Sequence, residues 1–349
     1  MPKKAHLSPF FMLQKNYCHS HATLAINQTS LFIEYINYYK MKLHHSKLAF
    51  FILLIFILNP KTVLSQKILA EANFSIQNAR YLEVEGSFCN IELNGYSGSS
   101  LKMDGKIEGS GDPDKYEIIY REDGNKIKVW IERPNNIWRN IEGLLHFDVP
   151  ENVTVIVDNS SGNIEAEDLR ADDITLEASS GNITGRNLKG VLRLKCSSGN
   201  ITLSEQNGNA SLRASSGNLK VDEVNGDLEA HASSGNITIY EVLGDVEADC
   251  SSGNIKLRDI EGKLDVGTSS GNIRGEDVLL TGDSKFKASS GNVTIGLLNS
   301  EDDLSFDLDS GSGNLYAAGS TSDDRLILRK GPINITGITT SGSQRYTTD

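Results

Sequence analysis

A Ser-Ser-Gly-Asn tetrapeptide occurs eight times in this 349-residue chain, and it repeats hydroxyl and amide side chains at regular intervals. A ligand or a catalytic site could use such groups, but catalysis needs different residues that converge on one point. Five successive copies follow their predecessors after 18 residues, and a fixed period of this size indicates stacked structural repeats. We therefore predict that the motif forms structural corners whose residues meet their own copies, at Gly162, Asn163, Gly181, Asn182, Gly199, Asn200, Gly217, Asn218, Gly235, Asn236, Gly253, Asn254, Gly271, Asn272, Gly291 and Asn292.

A second series of glycines divides each repeat in half. These glycines lie nine residues after a motif glycine, at Gly190, Gly208, Gly226, Gly244 and Gly262. Apolar residues occupy alternate positions between the two corners, and a period of two is typical of half-buried strands. The sequence therefore predicts an all-β fold, a single-stranded parallel β-solenoid (β-helix) with 18-residue coils of two strands each.

Three further segments are predicted around the 151–320 repeats. Residues 66–150 lack the motif but contain strand-like runs and an Asp123-Gly124 hairpin signal, so we expect an all-β N-terminal cap over the first coil. Residues 321–349 are expected to form an irregular C-terminal coil or cap.

The first 65 residues differ from the rest in composition. Residues 41–65 combine basic residues with an apolar run of eleven residues, 48–58, which is too short to span a bilayer and is typical of a secretory signal peptide. Residues 1–40 would then be an upstream extension that reflects a misassigned start. We expect export to the periplasm, the outer surface or the extracellular space, with no stable membrane span after cleavage.

Charge and residue types restrict the possible functions. Residues 66–349 contain 27 basic and 45 acidic residues, a net charge of −18, which disfavours nucleic acid as a partner. Only His146 and His231 lie in this part, so we expect no catalytic residue, cofactor or metal site. Trp138 and Arg139, in an Asn-rich loop, are candidate contact residues for a sugar.

The residues around the first motif resemble a known group. The run Val-Pro-Glu-Asn-Val-Thr-Val at 149–155 leads into Ser-Ser-Gly-Asn-Ile at 160–164, which is then iterated. This pattern resembles a bacterial "putative adhesin" family, a domain of unknown function similar to the head domain of auto-transporter adhesins. The resemblance covers roughly residues 70–345. It implies an exported, envelope-associated β-solenoid with an adhesive or structural role and no defined catalytic residues.

The expected function is that of a non-enzymatic, secreted or cell-surface adhesin or envelope scaffold. Its extended faces would contact an unidentified protein or glycan surface, and we expect a monomer. One alternative is a carbohydrate-binding or carbohydrate-active β-helix protein. A second alternative is a periplasmic structural or signalling accessory.

Overall fold

The computed structural model describes residues 67–135 and 140–348, and these residues are organised almost wholly as β-strands. Two 3₁₀ turns interrupt them, at Pro113–Lys115 and Glu301–Asp303. The prediction of an all-β fold with mostly parallel strands is confirmed. The predicted signal peptide, the upstream extension and the Trp138–Arg139 pair lie outside the described residues.

The strands fall into three groups along the chain. The N-terminal group is β1 Lys67–Gln77, β2 Tyr81–Ser87, β3 Asn90–Tyr96, β4 Ser100–Gly109, β5 Glu117–Asp123, β6 Lys126–Glu132, β7 Ile141–Pro150, β8 Thr154–Ser161 and β9 Ile164–Glu167. The central group is β10 Arg170–Ser180, β11 Ile183–Ser198, β12 Ile201–Asn207, β13 Ala210–Ser216, β14 Leu219–Asn225, β15 Leu228–Ser234, β16 Ile237–Leu243, β17 Val246–Ser252, β18 Ile255–Gly262, β19 Leu264–Ser270, β20 Ile273–Leu280, β21 Ser284–Ser290 and β22 Val293–Leu297. The C-terminal group is β23 Leu304–Ser310, β24 Leu315–Ala317, β25 Ser320–Ser322, β26 Arg325–Leu328, β27 Ile333–Ser341 and β28 Gln344–Thr348.

Central strands pair in parallel with the strand one repeat away, which produces two rows. Row A contains the strands that precede the motif, and Leu212 pairs there with Ala230. Row B contains the strands that follow it, and Ile201 pairs there with Leu219. Strand β11 passes through both rows. Because equivalent residues are in register, each alternating apolar position becomes a continuous inward column.

The core joins the inward columns of both rows into one cluster of buried residues. Row B contributes a third column that the simple alternation did not predict, because a residue at positive φ, such as Glu223 at 62°, interrupts the strand and turns the next side chain inward. Except for Gln206, this column is aliphatic, and it comprises Leu188, Gln206, Val224, Val242, Ile260 and Val278.

The N-terminal strands are not separated from the repeats at residue 150, as the predicted cap boundary implied. Strand β2 pairs in parallel with β6 on one side and with β8 on the other. Strand β3 lies in the same way between β7 and β9. Residues 81–96 therefore form a coil of the solenoid, and the coil made by the later residues 126–150 lies outside it.

The C-terminal segment likewise departs from the predicted irregular coil. Strand β27 lies between β21 and β23, and β28 lies between β22 and β24. Residues 333–348 therefore form a regular coil between two coils that precede them in sequence. The hydrogen-bonding register, rather than chain order, determines the order of the coils at this end.

Antiparallel strands complete the outermost coils. At one end, β5 pairs with β6, and β4 pairs with both β7 and β1. At the other end, β26 pairs with β23 and β25 pairs with β24. These strands occupy backbone groups that the last parallel strands would otherwise present for edge-to-edge association.

Candidate functional site

The motif asparagines form a continuous chain of hydrogen bonds, the asparagine ladder. The side-chain oxygen of Asn218 accepts from the backbone N–H of Asn236 at 2.9 Å, and the Asn236 oxygen accepts from Asn254 at 2.9 Å. The Nδ2 group of Asn236 also donates to the Asn218 oxygen at 3.4 Å. The amide groups of the motif are therefore engaged between coils.

Motif glycines permit this close stacking. Gly235 has φ 134°, and a Cβ at this position would lie 2.0 Å from the Gly217 carbonyl oxygen of the neighbouring coil. Only glycine combines such a φ with such an approach.

Two members of the asparagine ladder lie outside any recognisable motif. The side-chain oxygen of Asn90 accepts from the N–H of Asn163 at 2.9 Å, although Cys89 occupies the glycine position before it. At the other end, Ser343 N–H donates to Asn292, and the Ser343 hydroxyl accepts from the N–H of Asn314 at 3.2 Å. The isolated Asn-Ile pair at 90–91 and the Ser-Gly pair at 341–342 are the sequence signals for these positions.

A second, shorter ladder lies at the other corner. The side-chain oxygen of Asn209 accepts from the N–H of Asp227 at 3.0 Å, and Asp227 accepts from Asp245 at the same distance. Asp245 in turn accepts from the N–H of Lys263 at 3.0 Å. Carboxylates therefore perform at this corner the structural role that asparagines perform at the first.

The motif serines behave differently from the asparagines. Within the described ranges, none of the paired motif serines makes a hydrogen bond through its hydroxyl group to a copy of itself. The first serine of six successive motifs instead lines a groove of about 520 Å³ along row A, here called the serine groove, at Ser197, Ser215, Ser233, Ser251, Ser269 and Ser289. The expectation that motif serines would form ladders like the asparagines is therefore wrong, because their hydroxyl groups point away from the corner amides.

The wall of the serine groove is a column of outward residues two positions before each lining serine. This column is Lys195, Arg213, His231, Asp249, Gly267 and Lys287. Lys195 lies 3.0 Å from Glu177, and Arg213 lies 3.4 Å from Glu229. The groove thus combines a row of hydroxyl groups with a wall of mixed charge.

His231 is not isolated, as its position in the sequence suggested. Its Nδ1 lies 3.8 Å from an oxygen of Asp249, and its Nε2 lies 3.9 Å from an oxygen of Glu247. These residues are 16 and 18 positions away, which is the distance at which the coil register places residues side by side. The 18-residue period was the signal that could have identified both neighbours.

The cysteines beside the groove are buried free thiols. The Sγ atoms of Cys196 and Cys250 donate to the carbonyl oxygens of Gly181 and Gly235, at 3.1 and 3.0 Å. Burial raises the pKa of both thiols, which disfavours the reactive thiolate. Their role is to fill a small position in the coil wall.

Comparison with known families places this architecture. The Toastrack DUF4097 family matches residues 82–245 and 192–332, which together span well over half of the chain. The chain belongs to the Toastrack DUF4097 family. No curated protein matches this Toastrack DUF4097 chain.

Solved structures with a similar fold share little sequence with this Toastrack DUF4097 chain. A "putative cell adhesion protein" from Clostridium sporogenes is 12% identical, with 82% of this chain and 100% of that chain covered and a TM-score of 0.19. A "putative lipid binding protein" from Parabacteroides distasonis is 16% identical, with 66% and 96% covered and a TM-score of 0.43. A "putative adhesin" from Parabacteroides merdae is 12% identical, with 66% and 95% covered and a TM-score of 0.35. Across residues 67–135 and 140–348, no helix is long and apolar enough to cross a membrane.

Proposed function

We propose that this chain is a non-enzymatic, exported adhesin or envelope scaffold that binds an extended polymer along the serine groove. The observation that carries the proposal is the groove itself, whose lining serine recurs in six successive motifs. At about 4.8 Å per coil, six lining serines extend over roughly 24 Å. A partner with its own short repeat, such as a polysaccharide or an extended peptide, fits such a surface.

The chemistry of the groove favours a hydroxyl-rich or mixed-charge partner. In the described part of the chain, the six lining serines leave their hydroxyl groups without protein hydrogen-bond partners, so these groups can bond to a ligand or to bridging water. Lys195, Arg213, Asp249 and Lys287 supply charges of both signs along the wall. This combination favours the glycan alternative over a purely apolar protein contact.

The environment of His231 supports a binding role over a hydrolytic one. A nucleophilic serine requires a base within hydrogen-bonding reach. Over the described residues, no hydrogen bond joins His231 to a groove serine, and its ring faces Glu247 and Asp249 instead. The groove hydroxyl groups therefore lack the activation that acyl transfer needs.

Export, a surface location and the likeness to auto-transporter adhesin heads remain parts of this proposal. The signal-like segment 41–65 and the acidic composition of residues 66–349 support them. N-terminal sequencing of the protein recovered from the producing cells tests the first point. A mature terminus near residue 66 is expected, and an intact leader on the recovered protein would contradict export by cleavage.

A pair of matched variants tests the groove. Ser233→Tyr fills the groove from an exposed position, whereas Ser234→Tyr places the same side chain on the next exposed residue, which does not line it. Labelled protein is applied to glycan arrays, matrix proteins and bacterial cells. We expect a bound surface whose affinity falls at least about tenfold in Ser233→Tyr, or about 1.4 kcal/mol, and is unchanged in Ser234→Tyr. Equal effects of the two variants, or turnover of a substrate without binding to any surface, would refute the proposal.

A further inference from the structure

The outward face of β15 and β17 brings three metal-binding side chains together. His231 pairs in register with Asp249, and Glu247 lies two residues before Asp249 on the same face of β17. One imidazole nitrogen and one oxygen from each carboxylate all lie within 4.8 Å of one another. Nothing in the 18-residue motif requires this combination, because the equivalent positions of neighbouring coils carry other residues.

The charges around this group are not balanced in the same way as elsewhere in row A. Glu177 lies against Lys195, and Glu229 lies against Arg213. In the described residues, the ion pairs of Glu247 and Asp249 involve only His231, whose ring is charged only when protonated. When His231 is neutral, two neighbouring carboxylates therefore lack a compensating positive charge, which favours the binding of a cation.

The next position in the column leaves space beside Asp249. Gly267 pairs in register with Asp249, and a Cβ at residue 267 would lie 2.4 Å from the Asp249 Oδ1 atom. Any larger residue would displace this carboxylate. The side chains of Glu247 and Asp249 are 54% and 58% exposed, so they can rotate to shorten the observed separations.

We propose that His231, Glu247 and Asp249 form a binding site for a divalent transition-metal ion, with Zn²⁺ as the representative ion. Imidazole and carboxylate are ordinary zinc ligands, and bond lengths of about 2.0–2.2 Å place tetrahedral donors roughly 3.3–3.5 Å apart. The observed separations of 3.8 and 3.9 Å approach this spacing. Three protein ligands leave a fourth position for water or for a donor atom of a bound partner. The proposal does not depend on the partner proposed for the serine groove.

His146 provides a matched control on another part of the solenoid. Its Nδ1 lies 3.1 Å from Glu92 and its Nε2 lies 3.5 Å from Asp148, so its surroundings resemble those of His231. Lys102 already lies 3.3 Å from the other oxygen of Asp148. That ammonium group compensates the carboxylate and repels a metal ion.

The test is isothermal titration of the chelator-treated full chain with ZnCl₂ alone. The five histidines within the first 45 residues are left unchanged in every variant, so the comparison between variants carries the result. We expect His231→Gln to bind one Zn²⁺ fewer per chain than the wild type, and His146→Gln to match the wild type. Asp249→Asn should weaken the same site at least tenfold, and amide NMR shifts on Zn²⁺ addition should centre on β15 and β17 in the wild type.

Several outcomes would overturn the site. These are wild-type Zn²⁺ stoichiometry and affinity in His231→Gln, an equal loss in His146→Gln, or Ca²⁺ binding at the same carboxylates that does not respond to His231→Gln. The last result would indicate only a diffuse counterion at exposed acids, since Ca²⁺ prefers oxygen ligands. Circular dichroism of each variant verifies the fold, and Asp249→Asn remains the decisive variant where His231→Gln does not fold. Because only Zn²⁺ is present, failure here leaves the groove proposal to its own binding assay.

Discussion

Removal of one asparagine from the middle of the asparagine ladder should destabilise the solenoid. In Asn236→Ala, the backbone N–H of Asn254 loses its acceptor at 2.9 Å, and two longer side-chain bonds, of 3.3 and 3.4 Å, are also lost. A net protein hydrogen bond contributes about 0.5–1.5 kcal/mol, and water can replace part of it at this exposed corner. We therefore expect the free energy of unfolding to fall by about 1–2 kcal/mol.

The assay is urea-induced unfolding followed by circular dichroism, with two comparison variants. Asn314 lies at the end of the ladder, and its side chain makes no hydrogen bond to any part of the chain that the structure describes, so Asn314→Ala should change stability by less than about 0.5 kcal/mol. Asn236→Asp keeps a side-chain oxygen acceptor, as Asp227 does at the second corner, so it should recover much of the loss. Equal effects of Asn236→Ala and Asn314→Ala would refute the reasoning.

Three other perturbations probe the corner, the core and an ion pair. Gly235→Ala should cost about 3 kcal/mol or more because its Cβ meets a carbonyl oxygen of the neighbouring coil at 2.0 Å, whereas Gly124→Ala, at φ 62° in open space, should cost only about 1–2 kcal/mol. Ile239→Ala should cost about 2–5 kcal/mol because the side chain is fully buried, whereas Leu243→Ala, at a side chain 57% exposed, should stay within about 0.5 kcal/mol. Hydrogen bonds from two lysine ammonium groups lower the pKa of Glu83, so Glu83→Gln should be less stable than the wild type at pH 7, and the difference should vanish as the pH falls through that lowered pKa.

Each of these has a measurement that can contradict it. Urea unfolding midpoints compare the two glycine variants, and a Gly235→Ala protein as stable as Gly124→Ala would exclude the close stacking of corners. Comparable losses in the Ile239 and Leu243 variants would contradict the inward column. Stability curves of Glu83→Gln and the wild type that stay parallel down to about pH 2 would show that the carboxylate gains nothing from its lysine neighbours.

The asparagine ladder also shows why the order of coils differs from the order of the chain. It runs from Asn90 directly to Asn163, and from Asn292 through Ser343 to Asn314. Local pattern cannot predict such an order, because any coil with the same corner geometry can stack on any other. Packing at the two ends selects the neighbour, and the later or earlier segments then close the outer faces as antiparallel strands.

What the sequence by itself determined is the repeating unit. Glycine corners nine residues apart and apolar residues at alternate positions specify short strands, and identical corner residues specify that each unit meets its own copy. These features are local, so they can be recognised from spacing alone. The tertiary structure alone decided which coils are neighbours at the ends, how the first motif serines line a groove, and that His231 lies beside Glu247 and Asp249. Those relations depend on register between strands far apart in the chain, where a difference of one residue reverses the face on which a side chain lies.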